Sequence, residues 1–299
     1  MRNSLLAIAF AAVALAVSGC GGSSSSSSGS TPTGGSTGQT CSPAANTTIA
    51  ANTLTIGTDN PAYYPYFSGG PGHDWTGQFN NDPYTDKGFE DAVAYAVAKQ
   101  MGYSTSQVKW NVTHFNQSFA PGPKNFDFYV AQVSIKPKRA QNVDFSAPYY
   151  AANQAVVALK GTPIASATSL ADLKPYKLGT QLGTTSYDYI TQTIQPSQQA
   201  QAYPTTNDAI HALENHQIDG LVVDLPTAFY MTAVQIPKST IVGQFAPSAG
   251  GEQWGLVLSK GSSLTACVDQ AVNALSNNGT LDQLRQTWLS QKASAPVLQ

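Results

Sequence analysis

The chain has 299 residues, with 15 basic against 17 acidic side chains and a formal net charge of −2. A weak negative balance with no basic run argues against nucleic acid as a partner. The length sets an expectation of about two domains at roughly 100–200 residues each.

The first element is a processing signal. Arg2 supplies a positive charge, and Leu5 to Val17 is almost wholly apolar. That run is too short to span a bilayer comfortably and fits the apolar region of a leader. It ends in Val17-Ser18-Gly19-Cys20, which resembles a bacterial lipobox. The expectation is a leader over 1–19, with the Cys20 thiol carrying a diacylglyceryl group as the first mature residue. Residues 21–40 are nearly all Gly, Ser and Thr. Such a run cannot bury a core, so 20–49 is expected to be a lipid-anchored tether. No later segment is apolar for long enough to cross a membrane.

The body then alternates between strand and helix patterns. Leu54 to Asp59 is a short β-rich run ending in turn residues, and residues 68–87 are loop-forming. Phe89 to Met101 has apolar residues at a helical period. Strands are expected over 108–112, 126–133, 154–159, 177–181, 220–223 and 254–258. Helices are expected over 170–173, 187–194, 207–215, 227–234, 264–276 and 280–291. This alternation implies α/β architecture with largely parallel, buried sheets. Cys41 and Cys267 are able to pair in an oxidising compartment, and sequence leaves that pairing open. Two cysteines at this separation and four scattered histidines show no metal-ligand spacing. No cofactor is expected.

Three short segments carry candidate chemistry. Ser134-Ile135-Lys136-Pro137-Lys138-Arg139 follows a buried run and places an arginine just past a proline turn. A guanidinium fixed there is suited to grip a carboxylate through two parallel hydrogen bonds. Gly183-Thr184-Thr185 lies between a strand and a helix, where amides and hydroxyls can face an anion, or where it simply caps the helix. Asp224 ends the run Gly220-Leu221-Val222-Val223, at the strand end where α/β sheets bind ligands, or caps the helix that follows.

The first segment continues into Val143-Asp144-Phe145-Ser146-Ala147-Pro148-Tyr149-Tyr150. The whole block resembles the hinge-proximal motif of family 3 extracellular solute-binding proteins, the amino-acid receptors of ABC importers. Their usual text is S-I-T-P-E-R-A-x-x-V-D-F-S-x-P-Y-Y, from which Lys136 and Lys138 depart. The resemblance covers roughly residues 52–290. It implies a two-lobe, type II periplasmic-binding-protein-like fold with a hinged cleft. Lobe 1 would hold 50–150 and 246–299, and lobe 2 would hold 151–245. The crossings would lie near Tyr149–Asn153 and Val242–Pro247.

The resemblance also implies roles. Arg139 would clamp the ligand α-carboxylate, with Ser134 beside it and Thr184 and Thr185 completing the cradle from lobe 2. Asp224 would take the α-ammonium. Asp59 and Gln181 would meet a polar ligand side chain, and Phe115 its aliphatic part. Gln132 stands where many members have Gly or Ser. Tyr63-Tyr64-Pro65-Tyr66-Phe67 resembles the family's Y-x-P-F with an extra residue, so Tyr63 is the first of several tyrosines able to line the pocket. Gly88-Phe89-Glu90 matches a helix signature and reads as structural. Trp75, in the 68–87 loop, is placed to cap the cleft.

The expected function is extracytoplasmic binding of a free amino acid, polar or basic, by a monomer that delivers it to a membrane permease. The alternatives are an enzyme resembling cyclohexadienyl dehydratase and a sensing module of a signalling system. The sequence shows no Ser/His/Asp spacing, nucleophile elbow or metal set. Glu252 and His114, loose candidates for acid–base work, read as surface or turn residues.

Overall fold

The computed structural model describes residues 41–246, 252–289 and 295–298. The expected leader, Cys20, the tether up to residue 40 and Pro247 lie outside the described residues. The described strands are β1 Leu54–Thr58, β2 Val108–Val112, β3 Phe128–Tyr129, β4 Val143–Phe145, β5 Tyr150–Ala152, β6 Gln154–Leu159 and β7 Leu178–Gln181. They continue with β8 Gln201–Tyr203, β9 Gly220–Asp224, β10 Ser239–Phe245, β11 Glu252–Trp254, β12 Val257–Ser259 and β13 Val297–Leu298.

Among the described residues these strands form two main sheets and a ribbon. The first sheet runs β2-β1-β3-β12-β4 and the second β13-β10-β6-β9-β7-β8, while β5 and β11 pair alone. The sheets are mixed, not largely parallel. In the first, β1 is parallel to β2 and β3, but β12 runs antiparallel to β3 and β4. In the second, β6 is antiparallel to both β9 and β10. The final strand, β13, pairs with β10 of the second sheet, whereas the sequence reading put 246–299 with the first lobe.

The apolar run of β6 shows why these strands form. Ala155, Val157 and Leu159 pack against Ala209, Leu213 and Met231 on one face. Val156 and Ala158 pack against Ile164, Leu178 and Ile190 on the other. Successive side chains point to opposite faces, and both faces are covered, so the strand reads as continuously apolar. The first sheet buries Leu54, Ile56 and Phe128 against Phe89, Val93 and Val97 of the helix Phe89–Gln100, and against Val268 and Val272 of the helix Thr265–Asn277. A disulfide joins Cys41 to Cys267, Cα–Cα 5.5 Å, across 226 residues of chain.

Several elements differ from expectation. The apolar stretch 126–133 pairs as a strand only at Phe128–Tyr129, and the backbone then turns left-handed at Gln132, φ 49°. The expected strand 254–258 is split at Gly255, where a Cβ would meet Ile135 Cγ1 at 2.9 Å. The helices expected over 187–194 and 227–234 instead begin as short α-helices at Thr185 and Leu225 and widen into π turns. Residues 242–245, expected as an extended crossing, belong to the seven-residue strand β10.

Candidate functional site

The C-terminal ends of β1, β7 and β9 and the turn after β3 converge on one cavity. Asp59, Tyr63, Phe115, Gln132, Ser134, Gln181, Thr184, Thr185 and Asp224 all line it. Arg139 does not line it directly. Its guanidinium lies behind the cavity wall, with Nη1 donating to Ser134 O at 2.9 Å and Nη2 to Gly183 O at 2.8 Å. It sits over the rings of Phe119 and Phe115, 4.3 and 5.5 Å from their centroids, a cation–π arrangement. Burial pulls its pKa down to about 10, opposed by the charges of Glu252, Asp188 and Asp224. It therefore stays cationic at neutral pH.

The Gly183 turn has local causes. Gly183 has φ +78°, a left-handed conformation that favours glycine, and a Cβ there would lie 2.0 Å from Asn116 Oδ1, so that side chain would have to move. Thr184 is the N-cap of the helix Thr185–Asp188, but its hydroxyl donates back to Gln181 O at 2.8 Å and makes no cap bond. The Thr185 hydroxyl turns into the cleft and donates to Glu252 Oε1. Gln181 Oε1 accepts from Thr206 Oγ1 at 2.7 Å.

Glu252, a loose candidate in the sequence, corrects the expectation of a surface or turn residue. It is not a surface or turn residue: it is 6% exposed, on β11. Its Oε1 accepts from the hydroxyls of both Ser134 and Thr185. Its Oε2 accepts from Gln154 Nε2 at 3.1 Å, and the same amide nitrogen donates to Asp224 Oδ1 at 2.5 Å. Gln154 Oε1 accepts from Ser186 Oγ at 2.6 Å, which completes the bonding of this buried amide. Gln154 had one legible signal: it is the polar head of an otherwise apolar buried strand. Glu252 had only its place before Trp254-Gly255-Leu256-Val257, which reads equally well as a turn.

Asp224 occupies the N-cap position of the helix Leu225–Tyr230, yet its side chain makes no capping bond. Burial holds its carboxyl well above the usual range, reinforced by the neighbouring charge of Glu252 and offset by Gln154 and Arg139. Asp59 is raised too, by burial, while the Asn60 amide, bonded at 2.8 Å, and His114 pull it down. His114 is exposed, but its Nδ1 lies 3.5 Å from Asp59 Oδ1.

The remaining predicted residues separate into pocket and support. Tyr63 and Tyr66 both line the cavity, and Tyr66 pairs with Thr227 across it, Oη–Oγ1 2.9 Å. Tyr64 instead packs on Tyr230 at 4.8 Å. Trp75 does not cap the cleft: it is buried and donates from Nε1 to Asp59 O at 2.9 Å, bracing the end of β1 from behind. Gln132 folds back on Glu90, its backbone N–H donating to Oε1 at 2.7 Å and its amide to Oε2. Tyr149 also donates to Glu90, whose burial pushes it up to about 7. Among the described residues there is no cluster of side chains able to hold a metal ion, and no helix long and apolar enough to cross a membrane.

The chain is similar to the arginine-binding extracellular protein of Bacillus subtilis, 26% identical over 209 residues, covering 68% of this chain and 78% of that protein. In structure it is similar to an ancestral arginine-binding protein bound to glutamine, with TM-score 0.65 and 27% identity, covering 80% of this chain and 98% of the other. It is also similar to an ancestral amino-acid-binding protein that is a precursor of cyclohexadienyl dehydratase, with TM-score 0.63 and 27% identity, covering 80% and 95%. The family model of bacterial extracellular solute-binding proteins, family 3, matches residues 77–291. The chain belongs to the family 3 bacterial extracellular solute-binding proteins.

Proposed function

We propose that the cleft holds one free amino acid, with its ammonium on Asp224 and its carboxylate between the Ser134 and Thr185 hydroxyls, in the field of Arg139. The observation that carries this reading is the meeting of those groups from both lobes. Ser134 follows β3 and Thr185 follows β7, with their hydroxyl oxygens 3.4 Å apart. Burying both ends of a zwitterion unpaired would cost several kcal/mol, so a receptor needs an anionic and a cationic cradle together. Hydrogen bonds to charged groups contribute about 1.5–3 kcal/mol each, enough in such a set for a tight complex.

The ligand side chain then extends toward Asp59, Tyr63, Phe115 and Gln181, with Gln132 on the wall. A buried carboxylate at that end favours a basic or strongly polar side chain. The names of the relatives, arginine-binding in two cases, support the same class. A ligand touching both lobes stabilises the closed form, which a membrane permease of an ABC importer would receive. A lipid on Cys20 would keep a monomeric receptor near that permease on the outer side of the membrane. Asp224 with its raised carboxyl, and the likeness to the dehydratase precursor, favour catalysis as the second reading. Product formation from prephenate or arogenate tests it.

A thermal-shift screen of the purified protein against all amino acids tests the first reading. A true ligand at a hundred times its dissociation constant adds about 2.7 kcal/mol of stability. The expected result is a shift with arginine or another basic or polar amino acid. No shift with any amino acid would overturn the reading.

A further inference from the structure

Glu252 sits on the ribbon β5–β11, opposite Ala152, where the chain passes between the two sheets. From there its buried carboxylate reaches Ser134, after β3 of the first sheet, and Thr185, after β7 of the second. Those are the two hydroxyls assigned above to the ligand carboxylate. Each hydroxyl has a single hydrogen to donate, so neither can serve two carboxylates at once. Two carboxylates at that distance in a buried site also repel strongly.

We propose that Glu252 is an internal stand-in for the ligand carboxylate: it occupies the hydroxyl pair and ties the two lobes together in the unliganded protein, and it must withdraw for an amino acid to bind. The proposal rests on the reading of Ser134 and Thr185 as carboxylate donors. Glu252 thereby sets affinity, because every ligand competes with a carboxylate that the chain itself supplies. Its tie also favours a closed cleft without ligand, so closure alone would not report occupancy. Gln154 fits this role, since its amide nitrogen donates to both Glu252 and Asp224 and so holds the two neighbouring acids.

The test combines calorimetry and solution scattering on the purified protein, its Glu252→Gln and Glu252→Ala variants, with arginine as the probe. Both variants are expected to bind arginine about tenfold tighter or more, the size of one lost charged competitor bond. Without ligand, both are expected to show a larger radius of gyration than wild type. Unchanged or weaker binding overturns the proposal, and weaker binding would make Glu252 a partner of the ligand ammonium. An unchanged radius of gyration in the ligand-free variants also overturns it. If no amino acid binds wild type or variants, the amino-acid reading fails, and scattering still decides whether Glu252 holds the cleft shut. Should both variants misfold, wild type decides: its ligand-free scattering must match the closed form, and an open particle contradicts the proposal.

Discussion

At the end of the cleft near Asp224, the groups that would meet a ligand's ammonium and carboxylate are bonded to one another: Ser134 and Thr185 to Glu252, and Glu252 and Asp224 to Gln154. At the end near Asp59, the carboxylate has the Asn60 and Phe115 amides and an exposed histidine, Gln181 is bonded to Thr206, and the buried Tyr63 hydroxyl has no side-chain partner among the described residues. The difference separates two jobs. A saturated network fixes geometry for the part common to all amino acids, and binding must exchange its bonds. A wall with a Tyr63 hydroxyl lacking a side-chain partner and a carboxylate held by neutral amides would leave a polar or basic side chain something to bond, so on the proposed reading selectivity belongs there.

The largest effect comes from breaking the saturated end. Asp224→Ala should weaken amino-acid binding by about a hundredfold or more, because it leaves the buried ligand ammonium unpaired, and Arg139→Ala by about tenfold or more, because it removes the cation behind the carboxylate cradle. Titration calorimetry checks this, and near-wild-type affinity in both variants would break the contrast between the two ends.

A second effect lies behind the site. Burial pushes Glu90 up to about 7 and Asp91 up to about 8. A carboxyl raised in the fold contributes stability that is fully present below its unfolded value and lost as pH rises through the folded one. Unliganded stability should therefore be highest near pH 5 and fall by about 3 kcal/mol through pH 8 for Glu90 alone, from the size of its shift. Glu90→Gln should flatten that fall in thermal melts at stepped pH. A profile as steep as wild type would remove Glu90 as its source.

At the sparse end, Asp59→Asn should reduce the preference for basic over neutral polar amino acids by about tenfold, the size of one lost charged hydrogen bond. It should leave affinity for small neutral amino acids within about threefold. Equal losses for all ligands would merge the two ends into one. The smallest effect is on pH: the ammonium favours ionised Asp224, whose carboxyl is held high when empty, so binding releases a proton. Affinity should then strengthen several-fold from about pH 5 to about pH 7. Calorimetry in buffers of different ionisation heat measures that proton, and proton uptake would contradict the sign.

The alternation of strand and helix was legible because buried strands and amphipathic helices impose their own periods, and β2 and β6 are found at their expected bounds. Strand direction was not legible. The antiparallel strands β6 and β12 depend on where the chain returns, which no local pattern records. Gln132 shows a second limit, since a left-handed turn at a non-glycine residue is held by Glu90, 42 positions away. In the site, Asp59, Asp224 and the Gly183 turn could be found because they end strands in an α/β pattern. Glu252 and Gln154 could not, because their importance comes from burial beside partners up to 118 residues distant in sequence. Trp75 differs for a related reason: its loop was expected to lay it over the cleft, and tertiary packing buries it behind Asp59 instead.

The most direct measurement is a crystal structure with a bound amino acid, arginine first. The account predicts the ammonium on Asp224, the carboxylate between the Ser134 and Thr185 hydroxyls, and the side chain directed at Asp59. A molecule seated outside this cleft, or one bound in reverse with its carboxylate beside Asp224, would contradict it.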